Sequence, residues 1–430
     1  MLTLLACFGA CTTGPGSADS EDNAETSSDG SDDSTSDTGS QISPQCGDGV
    51  HVPGERCWHD VETHPTGDEL KIIEAFDIEA DGRTDLIFGQ ATGVNYVSWN
   101  DADGSSTVAQ VNLPRQIMAV CDDSRHLAVG SLFVVEKTGP ASADADLVRL
   151  ERDPDDPEQL REHSRTALEN QSLSCALGDF DGDGNPEIVV SLFTGDSLTT
   201  VRVESDGMQV TQTIPVGRHP RGIRTFDIDS DGRDDVFVTL DNHFGSYGAP
   251  DSYLEPGQVA ILHAGPGGEL LEPSTHEVVV YPYDLDIGDL DGDGAPDIVA
   301  VGLNMGLENG QTVLLEPGEE VVTILWGDGN GGFSERLDLL GGSSARNSRI
   351  ADFDGDGRLD FATSSYDAVA AKTLMQIWFA DATPRGFERM DIALDQGLYF
   401  DIGDLDNDGV LDFAAMGVPS ADVDFVFSNP

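Results

Sequence analysis

One nine-residue pattern, D-x-[DE]-x-D-G-x-x-[DE], constrains this chain more than any other feature, because it returns six times. It runs from Asp77 to Asp85, Asp179 to Glu187, Asp227 to Asp235, Asp289 to Asp297, Asp352 to Asp360 and Asp404 to Asp412. Each copy is followed by a short β-branched or aromatic run such as Ile188-Val189-Val190 or Val236-Phe237-Val238. From the second copy onward the starts are 48 to 63 residues apart, but 94 residues separate Asp85 from Asp179. The gap holds a degenerate copy, Ile117 to Cys121 and His126 to Gly130, whose loop has collapsed to Asp122-Asp123-Ser124-Arg125. A unit that recurs every ~50 residues cannot bury its own apolar face and must stack on its neighbours.

Within a repeat the apolar runs are strand-length and bounded by Gly or Pro, and 49 glycines point to many tight turns. Around Asp352 the expected strands are Phe333–Leu339, Asn347–Ala351, Phe361–Ser364 and Leu374–Phe379. Four strands repeating at this period predict the blades of an all-β propeller. The chain ends two strands after the last acidic loop, at Phe413–Met416 and Asp424–Phe427, so the last blade lacks its outer strand. The segment around Trp58 stands 19 residues before Asp77, as Phe333 stands 19 before Asp352, and can supply it. The expectation is therefore a seven-bladed β-propeller over residues 58–430, closed by its N-terminal strand, with metal-binding hairpin loops in six blades.

The loops suggest why the acids are there. Two carboxylates ~4 Å apart repel by roughly 1 kcal/mol even at the dielectric of water, and four converge in each loop. Hard oxygen donors in a flexible turn favour Ca²⁺ over Mg²⁺, which demands a stricter octahedron. Positions 1, 3, 5 and 9 offer carboxylates, position 7 its backbone carbonyl, and Gly at position 6 the sharp turn. An EF-hand starts in the same way but needs Glu at position 12. Here that position is Phe88, Val190, Val238, Ala300, Thr363 and Ala415, each in a strand-like run.

D-x-D-x-D-G-x-x-D between two apolar strands resembles the FG-GAP/VCBS repeats of integrin α-subunit propellers and of many bacterial surface proteins. The resemblance covers about residues 56–430. It implies that each loop joins the first two strands of a blade and binds Ca²⁺. Carried over, the side-chain ligands are Asp77, Glu79, Asp81 and Asp85, then Asp179, Asp181, Asp183 and Glu187, then Asp227, Asp229, Asp231 and Asp235. The remaining sets are Asp289, Asp291, Asp293 and Asp297, then Asp352, Asp354, Asp356 and Asp360, then Asp404, Asp406, Asp408 and Asp412. Arg83, Asn185, Arg233, Ala295, Arg358 and Val410 stand at the carbonyl position. Glu79 and Glu187 depart from the commonest pattern, and Asp122 and Asp123 are not expected to bind.

Before Arg56 there is no Lys or Arg. Leu2 to Ala10 is apolar and small and ends at Cys11, which resembles a shortened bacterial lipoprotein signal lipidated at Cys11, with Cys7 the other choice. Residues 12–45 are Ser, Thr, Asp, Glu and Gly, too poor in apolar side chains to offset their ordering entropy, and read as a tether. Cys46-Gly47-Asp48-Gly49 and Gly54-Glu55-Arg56-Cys57 resemble a segment common in myxobacterial surface proteins. Cys46 and Cys57 are close enough in sequence for a local disulfide in an oxidising compartment. Cys121 and Cys175 sit in inner strands of neighbouring blades and are either bridged or two buried thiols.

The formal net charge is −58. It excludes nucleic-acid binding through basic patches and polybasic attraction to lipid, and the excess argues against anionic partners. No catalytic residue is singled out: the chain lacks a G-x-S-x-G elbow, an HExxH helix and a P-loop. Long connections from Asp241 to Gly257 and from Asn304 to Glu320 should open on the face opposite the acidic loops, with His243, Phe244, Tyr247 and Tyr253 as candidate ligand-binding residues. The function expected is a non-enzymatic, Ca²⁺-stabilised binding or adhesion module for a protein or glycan. It is expected to be monomeric and to meet the membrane only through a lipid anchor at the outer membrane or cell surface. A polysaccharide lyase on the same scaffold and a purely structural surface component are the alternatives.

Overall fold

The structure is a computed structural model that describes residues 54, 56–59, 61–77, 83–90, 94–98, 107–111, 113, 115–121, 131–137, 144–153, 155–241, 243–244, 253–254, 256–303, 305–308, 311–314, 321–329, 331–342, 344–367, 372–395, 397–417 and 420–428. The proposed signal with Cys11, the tether and Cys46 lie outside these residues, as do Glu79, Asp81, Asp122, Asp123 and Tyr247. Apart from a 3-10 turn at Phe193–Gly195, the described elements are strands.

The architecture is an all-β propeller whose blades number six as hydrogen-bonded sheets, not the expected seven. The first sheet has seven strands, in the order Tyr399–Gly403, Asp412–Met416, Ser420–Val426, Glu62–Phe76, Asp85–Gln90, Val94–Ser98 and Thr107–Val111. The reason is the 15-residue strand Glu62–Phe76. Its first part pairs with the chain's last strand, Glu62 opposite Phe425 and Pro65 opposite Asp422. Its second part pairs with the next strand, Ile72 opposite Gly89 and Phe76 opposite Asp85. One continuous strand thus fuses the first and last repeats into a single sheet, and Trp58 extends the pairing by a bridge to Ser428.

The other five sheets are four-stranded antiparallel meanders. The second holds Ile117–Val120, Ser131–Lys137, Ala145–Asp153 and Asp156–Leu168, and the third Cys175–Gly178, Glu187–Leu192, Ser197–Glu204 and Gly207–Pro215. The fourth holds Pro220–Phe226, Asp235–Leu240, Gly257–Leu262 and Ser274–Val278. The fifth holds Pro282–Gly288, Asp297–Gly302, Val322–Gly327 and Phe333–Leu339, and the sixth Ala345–Ala351, Asp360–Asp367, Lys372–Ala380 and Phe387–Leu394. Phe333–Leu339 is thus the outer strand of the fifth sheet, and Phe387–Leu394 takes that place in the sixth. Cys121 and Cys175 form a disulfide, Cα to Cα 4.6 Å, that ties the first strands of the second and third sheets.

Second strands are buried on both faces, which explains their continuous apolar runs. Because side chains alternate along a strand, Val236, Val238 and Leu240 pack with Ala176 and Leu198 of the third sheet and with Phe180 of its acidic loop. Phe237, between them, packs with Leu285, Ile287 and Ile298 of the fifth. Position 2 of each described loop also belongs to these cores. Phe180, Ile228, Leu290, Phe353 and Leu405 are all buried and reach the core between two sheets. Each acidic loop is therefore pinned to the ring by an apolar plug. Phe180→Ala should destabilise the fold by about 3–5 kcal/mol, as for other buried aromatics. Urea unfolding measures it, and a loss below about 1 kcal/mol, the size of an ordinary surface change, would refute the plug.

Candidate metal centres

The acidic loops link the first strand of a repeat to its second, so they share one face of the ring. Their shape is set by backbone that folds onto the loop's own carboxylates. In the third sheet the Asp183 amide donates to Asp179 Oδ1 (3.0 Å) and Asp181 Oδ1 (3.2 Å), and the Gly184 amide to Asp179 Oδ2 (2.8 Å). The Asn185 amide donates to Asp183 Oδ1 (2.8 Å). The same bonds recur in the loops of Asp227, Asp289, Asp352 and Asp404. In these five loops position 6 takes a left-handed conformation, with φ from 84° at Gly184 to 90° at Gly294 and Gly409. A β-carbon at Gly294 would meet nothing within 4 Å, so only the backbone demands glycine there. Gly294→Ala should therefore cost about 1–2 kcal/mol of stability, with little change in packing. Equal urea midpoints for the two proteins would contradict this.

The position 9 carboxylate has a second task. Asp297 Oδ2 accepts from the Leu290 amide (2.9 Å) inside its loop and Oδ1 from the Gly327 amide (2.8 Å) at the end of the third strand. Asp360 does the same with Phe353 and Ala380, and Asp412 with Leu405 and Ser428. Burial pushes Asp297, Asp360 and Asp412 up to about 7, opposed by these backbone donors. The sign for stability follows from linkage. Between the ordinary carboxylate range and about 7, the folded, ion-free chain holds protons that the unfolded chain has released, so stability falls as pH rises through that window. Without divalent cations the melting temperature should drop between pH 5.5 and pH 8, which calorimetry in chelator checks; a rise would contradict the burial of these groups.

The loops bring together side chains that could hold a metal ion. Oxygens of Asp179, Asp181 and Glu187 lie within 4.8 Å of one another, as do those of Asp227, Asp229 and Asp231, of Asp289, Asp291 and Asp297, and of Asp352, Asp354 and Asp356. The donor set is all oxygen, which suits a hard cation. At the position expected to offer its carbonyl, the backbone amide bonds position 5 as already given, and the Arg233 and Arg358 side chains pair with Asp231 and Asp356 of their own loops. Of the first loop Asp77 and Arg83 to Asp85 are described, with Asp85 buried at the root of its strand.

Sequence reasoning missed the counter-charges. Arg202 Nη2 donates to Asp181 Oδ2 (2.7 Å), Arg385 Nε to Asp291 Oδ2 (2.7 Å) and Arg56 Nε to Asp354 Oδ2 (3.1 Å). In three loops an arginine from elsewhere in the chain thus meets the position 3 carboxylate. His263 plays a similar part, its Nδ1 2.9 Å from Asp235 Oδ2, and it completes a cluster with Asp229 and Asp235. Among the described residues, the Asp404 loop is met by Ser428 Oγ, 3.1 Å from Asp408 Oδ2, and by the field of His59.

On the other face, the expected long connections carry two short ribbons. His243–Phe244 pairs with Tyr253–Leu254, and Met305–Glu308 with Gln311–Leu314. Cys57 is disulfide-bonded.

A family model described as the FG-GAP-like repeat matches residues 179–238 and 289–363. Among solved structures, hydrazine synthase of Kuenenia stuttgartiensis superposes with a TM-score of 0.55 at 14% identity, covering 91% of this chain and 98% of that one. A proposed 6-phosphogluconolactonase of Bacteroides fragilis gives 0.50 at 13% identity, covering 85% and 96%. At such identities these structures speak for the fold alone. No curated protein matches the chain in sequence.

Proposed function

We propose that this chain, an FG-GAP repeat β-propeller, is a Ca²⁺-stabilised, non-enzymatic binding module of the cell envelope for a protein or glycan. The observation that carries the reading is the recurrence, on one face, of loops in which three or more carboxylates converge on a common point. Such loops are strained by repulsion, and a hard dication at each relieves it. Ca²⁺ would be held by positions 1, 3, 5 and 9, and would supply fixed charge rather than a reactive water. Six ions would bring the net charge from −58 to −46. The Cys121–Cys175 disulfide and bonded Cys57 support an oxidising compartment outside the cytoplasm. With metal on one face, the two ribbons of the opposite face are the candidates for recognition.

The magnitudes make the metals structural. At ~1 mM Ca²⁺ and a Kd of ~0.1 mM each site contributes roughly 1.4 kcal/mol. Six such sites would contribute about 8 kcal/mol, the size of a whole domain's net stability. Excess EGTA should therefore lower the melting temperature by about 10 °C or more. Differential scanning calorimetry with and without chelator tests this, and an unchanged midpoint would overturn the reading. Glycan and protein arrays probed in Ca²⁺ then test recognition, and a lyase assay on the same polysaccharides addresses the enzymatic alternative.

A further inference from the structure

In a chain with 22 basic residues against 80 acidic ones, four arginines converge on the propeller axis. Arg221 and Arg224 come from the first strand of the fourth sheet, Arg346 and Arg349 from the first strand of the sixth. Nearer the acidic loops, the second member of each pair is neutralised. Arg224 Nη2 donates to Asp284 Oδ2 (3.2 Å), and Arg349 bonds Asp401 Oδ1 (2.5 Å) and Asp284 Oδ2 (3.3 Å), with Glu74 3.6 Å away. Those contacts are spokes between inner strands.

The first members sit differently. Arg221 Nε donates to Asp241 Oδ2 (3.1 Å) and its Nη2 to the Tyr281 hydroxyl (2.9 Å). Arg346 meets no carboxylate among the described residues. Its Nη1 donates to the Tyr399 hydroxyl (2.8 Å), and its guanidinium lies 5.3 Å from the Tyr283 ring centre and 5.6 Å from that of Tyr399. Its Nε is buried without a hydrogen-bond partner. The two tyrosine hydroxyls are 2.9 Å apart, and burial, then Tyr283, holds the Tyr399 phenol well above its ordinary range. Around these groups lies an open cavity of about 540 Å³, lined by Arg221, Arg346, Tyr281, Tyr283, Tyr366 and Ser344, with two leucines and no acid. These residues stand at the starts of first strands or the ends of second strands, so the cavity opens on the face opposite the acidic loops.

A guanidinium offers a planar fork that matches carboxylate or phosphate, and a desolvated one without an acid is costly to keep. Tyrosine faces supply flat apolar walls for a ring, and their hydroxyls supply polar handles. The bulk negative charge does not forbid an anion here, because exposed charges beyond ~8 Å are largely screened at physiological salt. We propose that this axial cavity binds a sugar-sized ligand bearing a carboxylate or phosphate, with Arg346 and Arg221 taking the anionic group and the tyrosines its ring. The proposal rests on the binding-module reading for the choice of face, and on the arginine and tyrosine chemistry alone for the ligand class.

The test is calorimetric titration of the full chain in Ca²⁺ with glucuronate, glucose 6-phosphate and glucose. Either sugar anion should bind at least about tenfold more tightly than glucose, and comparing the two anions separates carboxylate from phosphate. Arg346→Met should weaken the better anion about tenfold or more, and Arg346→Lys, which keeps charge but loses the fork, severalfold. Arg389→Met, on an exposed outer strand, should leave binding unchanged. The Ca²⁺-dependent melting of each variant reports scaffold integrity separately, so a failed anion site and a failed metal reading give different results. Binding of glucose equal to the anions, no binding of any probe by the parent chain, or folded Arg346 variants that bind like the parent would overturn the proposal.

Discussion

A carboxylate buried at the root of a second strand is the contact on which the described repeats depend. In Asp297, Asp360 and Asp412 one oxygen holds the loop closed and the other caps the end of the third strand. Removing it would orphan two buried amides, each worth about 1–3 kcal/mol when unsatisfied. The same group carries a charge into a dry place, beside three further acids in its loop. Closing the sheet and gathering negative charge are therefore one act, and a bound cation would reconcile them.

Where the chain can furnish a positive group of its own, it does. Arg202, Arg385 and Arg56 each reach a position 3 carboxylate, and His263 reaches Asp235. These partners divide the loops into two kinds. A loop with an arginine has part of its repulsion already offset, and an incoming cation must displace or share that contact. The Asp404 loop has no such arginine among the described residues. A metal would therefore gain most there, next to the strand Ser420–Val426 that receives the N-terminal segment. A metal held there would sit beside the closure of the ring.

The repeat, its strands and the carboxylates of the loops were legible because each is a local pattern: period two in the strands, fixed spacing in the loops. The apolar position 2, from Phe180 to Leu405, was equally local and is the signal that marks the plugs. The count of sheets was not legible, because nothing in the residues near Leu70 says that Glu62–Phe76 runs on unbroken from one partner strand to the next. Nor were the counter-charges: Arg56 and Asp354 are 298 residues apart, Arg385 and Asp291 94 apart, and only the ring brings them together. Net charge misled most at the axis. A sum of −58 hides four arginines that the inner strands of two sheets bring to the axis, while the loop carboxylates gather on the other face.

Metal content per chain tests the central claim most directly. Equilibrium dialysis against millimolar Ca²⁺, with the bound metal counted by atomic emission, should find about five to six ions per chain released together by chelator. Finding none, or a single ion, would contradict the account, because the loops would then tolerate their converging carboxylates without a cation.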